Sequence, residues 1–268
     1  MGHLKLITRM VTALLLALAM VCVTLFLPEF WFAVMIILVT GIAFFELCDL
    51  IGISQKLARI FCVIGYLLVC LAYFMSGLPR EPLIYFSFFA WICAIFSVVF
   101  FPRGSWIFRK RYPSSILGAL LLGGAAFSVL AIRESTDGYF WFFWLLVLTT
   151  SVDAGGYFVG RKYGKTPLAP KVSPGKTVEG LAGGVFVCLV ICGTLNFVFV
   201  SDNHLGYLVI IPLAFFAVLG DLVESVVKRV HGKKDSGSIL PGHGGLLDRI
   251  DSIIPVMTAG AVFLAIGS

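Results

Sequence analysis

The sequence predicts an all-α, polytopic integral membrane protein, a bundle of about nine transmembrane helices, and three observations predict it. Sixty per cent of the 268 residues are apolar and only 13% are charged, about half the charged share of a soluble domain. Mean hydropathy is +1.03. The apolar residues also come in continuous runs near the roughly 20 residues that cross about 30 Å of hydrocarbon. A membrane β-barrel would instead alternate over segments of about ten residues. A soluble globule, a disordered chain and a disulfide scaffold are excluded on the same grounds.

The runs occupy residues 10–27, 30–48, 59–77, 83–101, 115–132, 139–160, 178–200, 206–227 and 250–267. Each must satisfy its backbone hydrogen bonds within lipid and so reads as a helix. The first run follows Lys5 and Arg9 as a signal peptide would. It is long for an h-region, no small-x-small site precedes Pro28-Glu29, and Val21 stands before Cys22 where a lipoprotein site needs a small residue. It is therefore read as a retained first helix. Basic residues orient the rest: 18 of the 20 lie on one side, leaving only Arg80 and Arg133 opposite. The positive-inside rule puts the N-terminus in the cytoplasm and, after nine crossings, the C-terminus outside. The net charge of +6 thus reports topology, and nucleic acid is not an expected partner. The seven cysteines form no CxxC pair and read as small packing residues.

Two unlike halves follow. Residues 1–138 are apolar runs on short loops, a lipid-facing scaffold, whereas residues 139–268 hold buried charge and two long cytoplasmic loops. No internal repeat is visible. The halves form one continuous membrane domain with the chemistry in the second.

Three constellations carry that chemistry. Asp153 lies inside the sixth run among small residues, Ser151 to Gly156; an acid at that depth costs about 2.5–3.5 kcal/mol on insertion scales. It marks a polar cavity or an interhelical bond, and its small neighbours allow close helix approach. The eighth run ends Asp221, Glu224, Ser225, Lys228, Arg229, a helical stripe of two carboxylates, a hydroxyl and an ammonium. An i,i+4 pair accounts for Glu224 with Lys228, but Asp221 has no basic residue at +3 or +4. The glycine-rich connection after it, Lys233 to Asp251, contains Lys234, His243, Gly244, Gly245, Asp248, Arg249 and Asp251. Glycines admit phosphate oxygens to backbone amides and lysines supply countercharge. Asp251 serves equally well as a helix cap, and His243 as a ligand, proton donor or turn stabiliser. The third constellation is the basic loop with Lys171, Ser173, Gly175, Lys176 and Thr177. Its Gly-Lys-Thr is not a P-loop, because Pro170 stands where that motif needs glycine; it is a cationic loop feeding a helix N-terminus, where anions are favoured. Acids beneath cations suggest a magnesium-bridged polyphosphate.

Ser225-x-x-Lys228-Arg229-x4-Lys234-Asp235, followed by Pro241-x-His243-Gly244-Gly245-x-x-Asp248-Arg249-x-Asp251, resembles the signature of the phosphatidate cytidylyltransferases (CDP-diacylglycerol synthases). Asp153-x-Gly155-x-Tyr157 through Gly160-Arg161, and Ser173-Pro174-x-Lys176-Thr177-x-Glu179-Gly180, resemble further blocks of that family. The likeness covers residues 150–252. It implies transfer of the cytidylyl group of CTP to phosphatidic acid, giving CDP-diacylglycerol and pyrophosphate with Mg2+, a monovalent cation such as K+ being a further candidate. It also implies metal binding by Asp221 and Asp248.

On this reading Asp221, Asp248, Lys228 and Arg229 form the catalytic set, with Glu224 and Asp251 as further metal candidates. Asp153, Ser173, Lys176, Thr177, Ser225, Lys234, His243, Gly244, Gly245 and Arg249 bind substrate. The attacking phosphate monoester is already mostly anionic at neutral pH, its second pKa being about 6, so no general base is needed. A CTP-using lipid kinase would need one, and the signature offers no dedicated candidate. An ion-coupled transporter would also bury acids, but the cationic glycine loops and the lack of a repeat oppose it. CDP-alcohol phosphotransferases are excluded because no DGxxAR-type aspartate array is present. The short N-terminus without a transit segment points to a bacterial plasma (inner) membrane, with the site facing the cytoplasm. A homodimer is compatible with the sequence, which does not fix the oligomeric state.

Overall fold

The computed structural model describes residues 20–200, 204–237, 239 and 244–267, without the side chains of 204, 205 and 267. Among the described residues, seven helices are long and apolar enough to cross a membrane, as expected of an all-α polytopic protein. They are α1 (Glu29–Leu50), α2 (Lys56–Met75), α3 (Glu81–Val99), α4 (Arg111–Glu134), α5 (Gly138–Tyr163), α6 (Val178–Phe199), and the continuous span Gly206–Val230. That last span joins a short α7 (His204–Leu208) to α8 (Ile210–Val230). A 3-10 turn, Arg103–Arg109, links α3 to α4. The first expected span, 10–27, falls mostly outside the described residues, of which 20–26 are helical.

The last expected run does not form one helix. A single turn, α9 (Leu247–Ile250), precedes α10 (Ile253–Gly267). Pro255 explains the interruption: it lacks the N–H that would bond the carbonyl of Asp251 four residues back. The break turns Asp251 toward α8, whose Gly220 has no side chain; a Cβ there would lie 2.5 Å from the Asp251 carbonyl oxygen. Helix α10 sits at the centre of the bundle, packed on α3, α4, α5 and α8. At the periphery α2 buries only Tyr66 and Cys70 and turns Leu57, Phe61, Leu68 and Val69 outward, a surface suited to acyl chains as solvent. Cys48, Cys70, Cys188 and Cys192 are buried and free of disulfides, in keeping with a packing role, whereas Cys22, Cys62 and Cys93 are exposed and do not pack in the core.

Glycines bring α5 and α6 unusually close. A Cβ at Gly155 would meet Gly184 Cα at 3.0 Å, one at Gly180 would meet Gly156 O at 2.9 Å, and one at Gly184 would meet Val152 O at 2.6 Å. Small residues in this register allow backbones to pack directly, so the glycines around Asp153 serve helix approach. Gly184→Leu is expected to cost about 1–3 kcal/mol through overpacking against a backbone that cannot step aside. The melting temperature of detergent-purified protein checks this, and an unchanged value contradicts it.

The cationic loop between α5 and α6 is ordered as a β-hairpin, β1 (Pro167–Ala169) antiparallel to β2 (Ser173–Thr177), with Pro167 opposite Thr177 and Ala169 opposite Ser173. Composition alone suggested turns here, because Pro, Gly, Ser and Lys mask a strand of five residues. The hairpin is tied down on three sides. Thr177 caps α6 by accepting from Gly180 N at 3.1 Å, Glu179 accepts from the amides of Lys165 and Thr166 at 3.0 and 3.1 Å, and Arg229 Nε donates to Val172 O at 3.0 Å.

Candidate active site

The hairpin, the start of α6, the C-terminal half of α8 and the described residues 233–237 and 244–252 meet at one end of the bundle. Asp221 has no basic residue one turn on in its own helix and finds one on the hairpin: Lys176 Nζ is 2.7 Å from its Oδ2. Ser225, one turn on, donates to Oδ1 at 3.3 Å, and Lys176 also donates to Val218 O at 3.3 Å. The i,i+4 stripe continues inward. Lys228 Nζ lies 2.6 Å from Glu224 Oε2 and 2.8 Å from Asp248 Oδ1, so one ammonium bridges two carboxylates.

Ser236 and Gly245, from either end of the connection, hold Asp248. Its Oδ2 accepts from Ser236 N at 3.0 Å and Gly245 N at 3.2 Å, and its own N–H donates to Ser236 Oγ at 3.3 Å. Burial alone would raise its pKa, but the bonds from Lys228 and Ser236 outweigh it and hold the carboxyl down to about 2. Asp248 is therefore ionised throughout the neutral range. The turn beside it needs Gly244, whose φ of +84° is strained for any side chain.

One oxygen each from Asp221, Glu224 and Asp251 lie within 4.8 Å of one another. Glu224 is 7% exposed, and its Oε1 is buried without a hydrogen-bond partner. Three carboxylates this close repel, and among the described residues they share with Asp248 only two lysines, Lys176 on Asp221 and Lys228 between Glu224 and Asp248, so the cluster has room for further positive charge. Carboxylate oxygens are the donors that hard divalent cations take, and the unpartnered Oε1 leaves a ligand atom available. The residues therefore fit a divalent ion. The structure gathers Asp221 with Glu224 and Asp251, the two residues held as further candidates; Asp248 joins the group through Lys228. Asp251 also accepts from the adjacent Ser252 N at 2.7 Å.

Beside the acids a cavity of about 290 Å³ opens between α5, α6, α8 and the hairpin, lined by Asp153, Gly156, Tyr157, Lys176, Thr177 and Asp221 among others. A second, about 520 Å³, shares Leu168, Leu181 and Val218 with it and is otherwise apolar apart from Lys171, with Val98, Phe101, Phe215 and Leu219 in its walls. Ser173 stands at the far end of the hairpin, paired with Ala169. Lys234 and Arg249 are exposed beyond the acids, and His243 lies outside the described residues. Sequence reasoning missed Glu46, 2% exposed at the end of α1, which accepts from Leu247 N at 2.8 Å. Its signal was an acid just inside the end of an apolar run.

A model of the cytidylyltransferase family matches residues 7–266. A Haemophilus influenzae protein named phosphatidate cytidylyltransferase is 33% identical over 271 residues, covering 91% of this chain and 93% of that protein. A Bacillus subtilis protein of the same name is 44% identical over 144 residues, covering 53% of this chain and 54% of that protein. A Staphylococcus haemolyticus protein, also so named, is 46% identical over 125 residues, 46% of this chain and 48% of that one. The chain thus spans about half of the latter two relatives and nearly all of the first.

Proposed function

The chain belongs to the cytidylyltransferase family, and from that premise we propose that it makes CDP-diacylglycerol from CTP and phosphatidic acid. The observation that carries this reading is a pocket with Asp153, Asp221 and Lys176 in its wall, which shares Leu168, Leu181 and Val218 with a neighbouring apolar pocket, while Asp221 also belongs to the carboxylate cluster. A nucleotide polyphosphate and a lipid need those two environments side by side.

Asp221, Glu224 and Asp251 hold a divalent ion, Mg2+, which when bound neutralises phosphate charge and serves as a template. Lys176 stands in the pocket wall and lowers the cost of bringing two polyanions together. Thr177 and Gly180 present the capped N-terminus of α6, where phosphate oxygens are favoured. A lipid phosphate oxygen attacks the α-phosphorus of CTP; that P–O bond forms as the bond to the β-phosphate oxygen breaks, and pyrophosphate leaves. The attacking group is ionised already, so the side chains orient and screen and need not remove a proton. Lys228 and Arg229 fix the framework around this step, one bridging Glu224 and Asp248, the other pinning the hairpin. The groove past Phe215 and Leu219 receives an acyl chain, with Lys171 at headgroup level. The full arrangement has nine crossings, the N-terminus and site on the cytoplasmic face and the C-terminus outside, in a bacterial inner membrane; 18 of 20 basic residues on one side support it.

The test uses purified protein, Mg2+ and CTP labelled at the α-phosphate, with phosphatidic acid in one arm and a lipid alcohol in a parallel arm. Label moving into the lipid fraction is the expected result. Label left in soluble nucleotide with a phosphorylated lipid alcohol would indicate a kinase instead, and no turnover would favour transport.

A further inference from the structure

Glu46 belongs to α1, far in sequence from the signature, yet its carboxylate sits against both sides of the connection that holds Asp248. Oε2 accepts from Leu247 N at 2.8 Å. A Cβ on Gly237 would lie 2.5 Å from Oε1, and one on Gly245 would lie 2.8 Å from Oε2 while striking Ser236 Oγ. Ser236 and Gly245 supply the two amides that bond Asp248 Oδ2, and Leu247 directly precedes Asp248. The glycines admit the Glu46 carboxylate, and the carboxylate in turn fixes the backbone one residue before the partner of Lys228. Burying an acid is costly, and an apolar side chain would pack more favourably at a helix end. Its position against this connection gives the acid a use that packing alone does not.

We propose that Glu46 is a positioning residue: it clamps Ser236, Gly237, Gly245 and Leu247 to α1 and so sets Asp248 against Lys228. The inference deepens the cytidylyltransferase reading and rests on it for its kinetic arm. That arm measures lipid labelling in Glu46→Ala and Glu46→Gln, alone and combined with Asp248→Asn. The second arm measures hydrogen–deuterium exchange of peptides covering residues 236–250, with no substrate present.

Glu46→Ala is expected to raise exchange across those peptides and lower kcat about 10- to 100-fold, as loss of an outer supporting contact does. Glu46→Gln keeps an acceptor for Leu247 N and is expected to restore both. In the Asp248→Asn background, Glu46→Ala is expected to change kcat by less than about twofold, because what it positions is already lost. Equal loss in both backgrounds, unchanged exchange, or failure of Gln to rescue would each overturn the clamp. Should Glu46→Ala not fold, Gly237→Ala places a methyl group against Oε1 and is expected to raise exchange in the same peptides; no rise overturns the proposal. If the wild type makes no labelled lipid, the functional reading fails while the exchange arm still decides the role of Glu46.

Discussion

Asp221→Asn lowers transfer of α-label from CTP to lipid by about 10²–10³-fold, the scale on which a single preorganised electrostatic contact counts, and leaves the fold intact. The geometry separates the two effects. Asp221 is partly exposed at the pocket wall, and its contacts are a hairpin lysine at 2.7 Å and a serine on its own helix at 3.3 Å. Asparagine matches its shape and still accepts from Ser225, so packing is preserved. What disappears is one of three carboxylate charges within 4.8 Å. Melting temperature should therefore move little while turnover collapses. A variant turning over at the wild-type rate would contradict the role given to the cluster.

Lys228→Met is expected to damage stability as well as activity. Methionine replaces the apolar stem and removes the ammonium that lies 2.6 Å from Glu224 and 2.8 Å from Asp248. Those two side chains are only 6% and 15% exposed. Taking the shared cation from buried acids costs about 3–5 kcal/mol, because the charges left behind are uncompensated. A large fall in melting temperature is expected, with turnover lost alongside it. Lys228→Met combined with Asp248→Asn removes one of the stranded charges and should recover part of the melting temperature without recovering turnover. If Lys228→Met melts like the wild type, the ammonium does not compensate these acids and the network is misassigned.

The helices were legible because lipid imposes length and continuity on them, and among the described residues seven of the expected runs appear as helices of membrane-spanning length. The acids at 153, 221 and 224 were legible for the same reason, since a carboxylate in an apolar run has no cheap explanation. Three features escaped because their causes act across the chain. Asp221 finds Lys176 on a hairpin 45 residues earlier, a pairing no helical periodicity contains. The prominence of Asp251 in the cluster depends on Pro255 interrupting the last helix, whereas spacing alone made Asp248 and Asp251 equivalent neighbours one turn apart. Glu46 accepts from Leu247 N, 201 residues later in the chain, a contact that no local pattern contains. The hairpin hid behind turn-forming residues, although Thr177 and Glu179 showed the helix start that anchors it.

The central claim is that Asp221, Glu224 and Asp251 hold a divalent cation. Electron paramagnetic resonance of Mn2+ titrated into the detergent-purified protein tests it most directly, with no dependence on substrate or turnover. The account predicts one high-affinity ion per chain in the wild type, lost in the Asp221→Asn, Glu224→Gln, Asp251→Asn triple variant. Undiminished Mn2+ binding by that variant would contradict it.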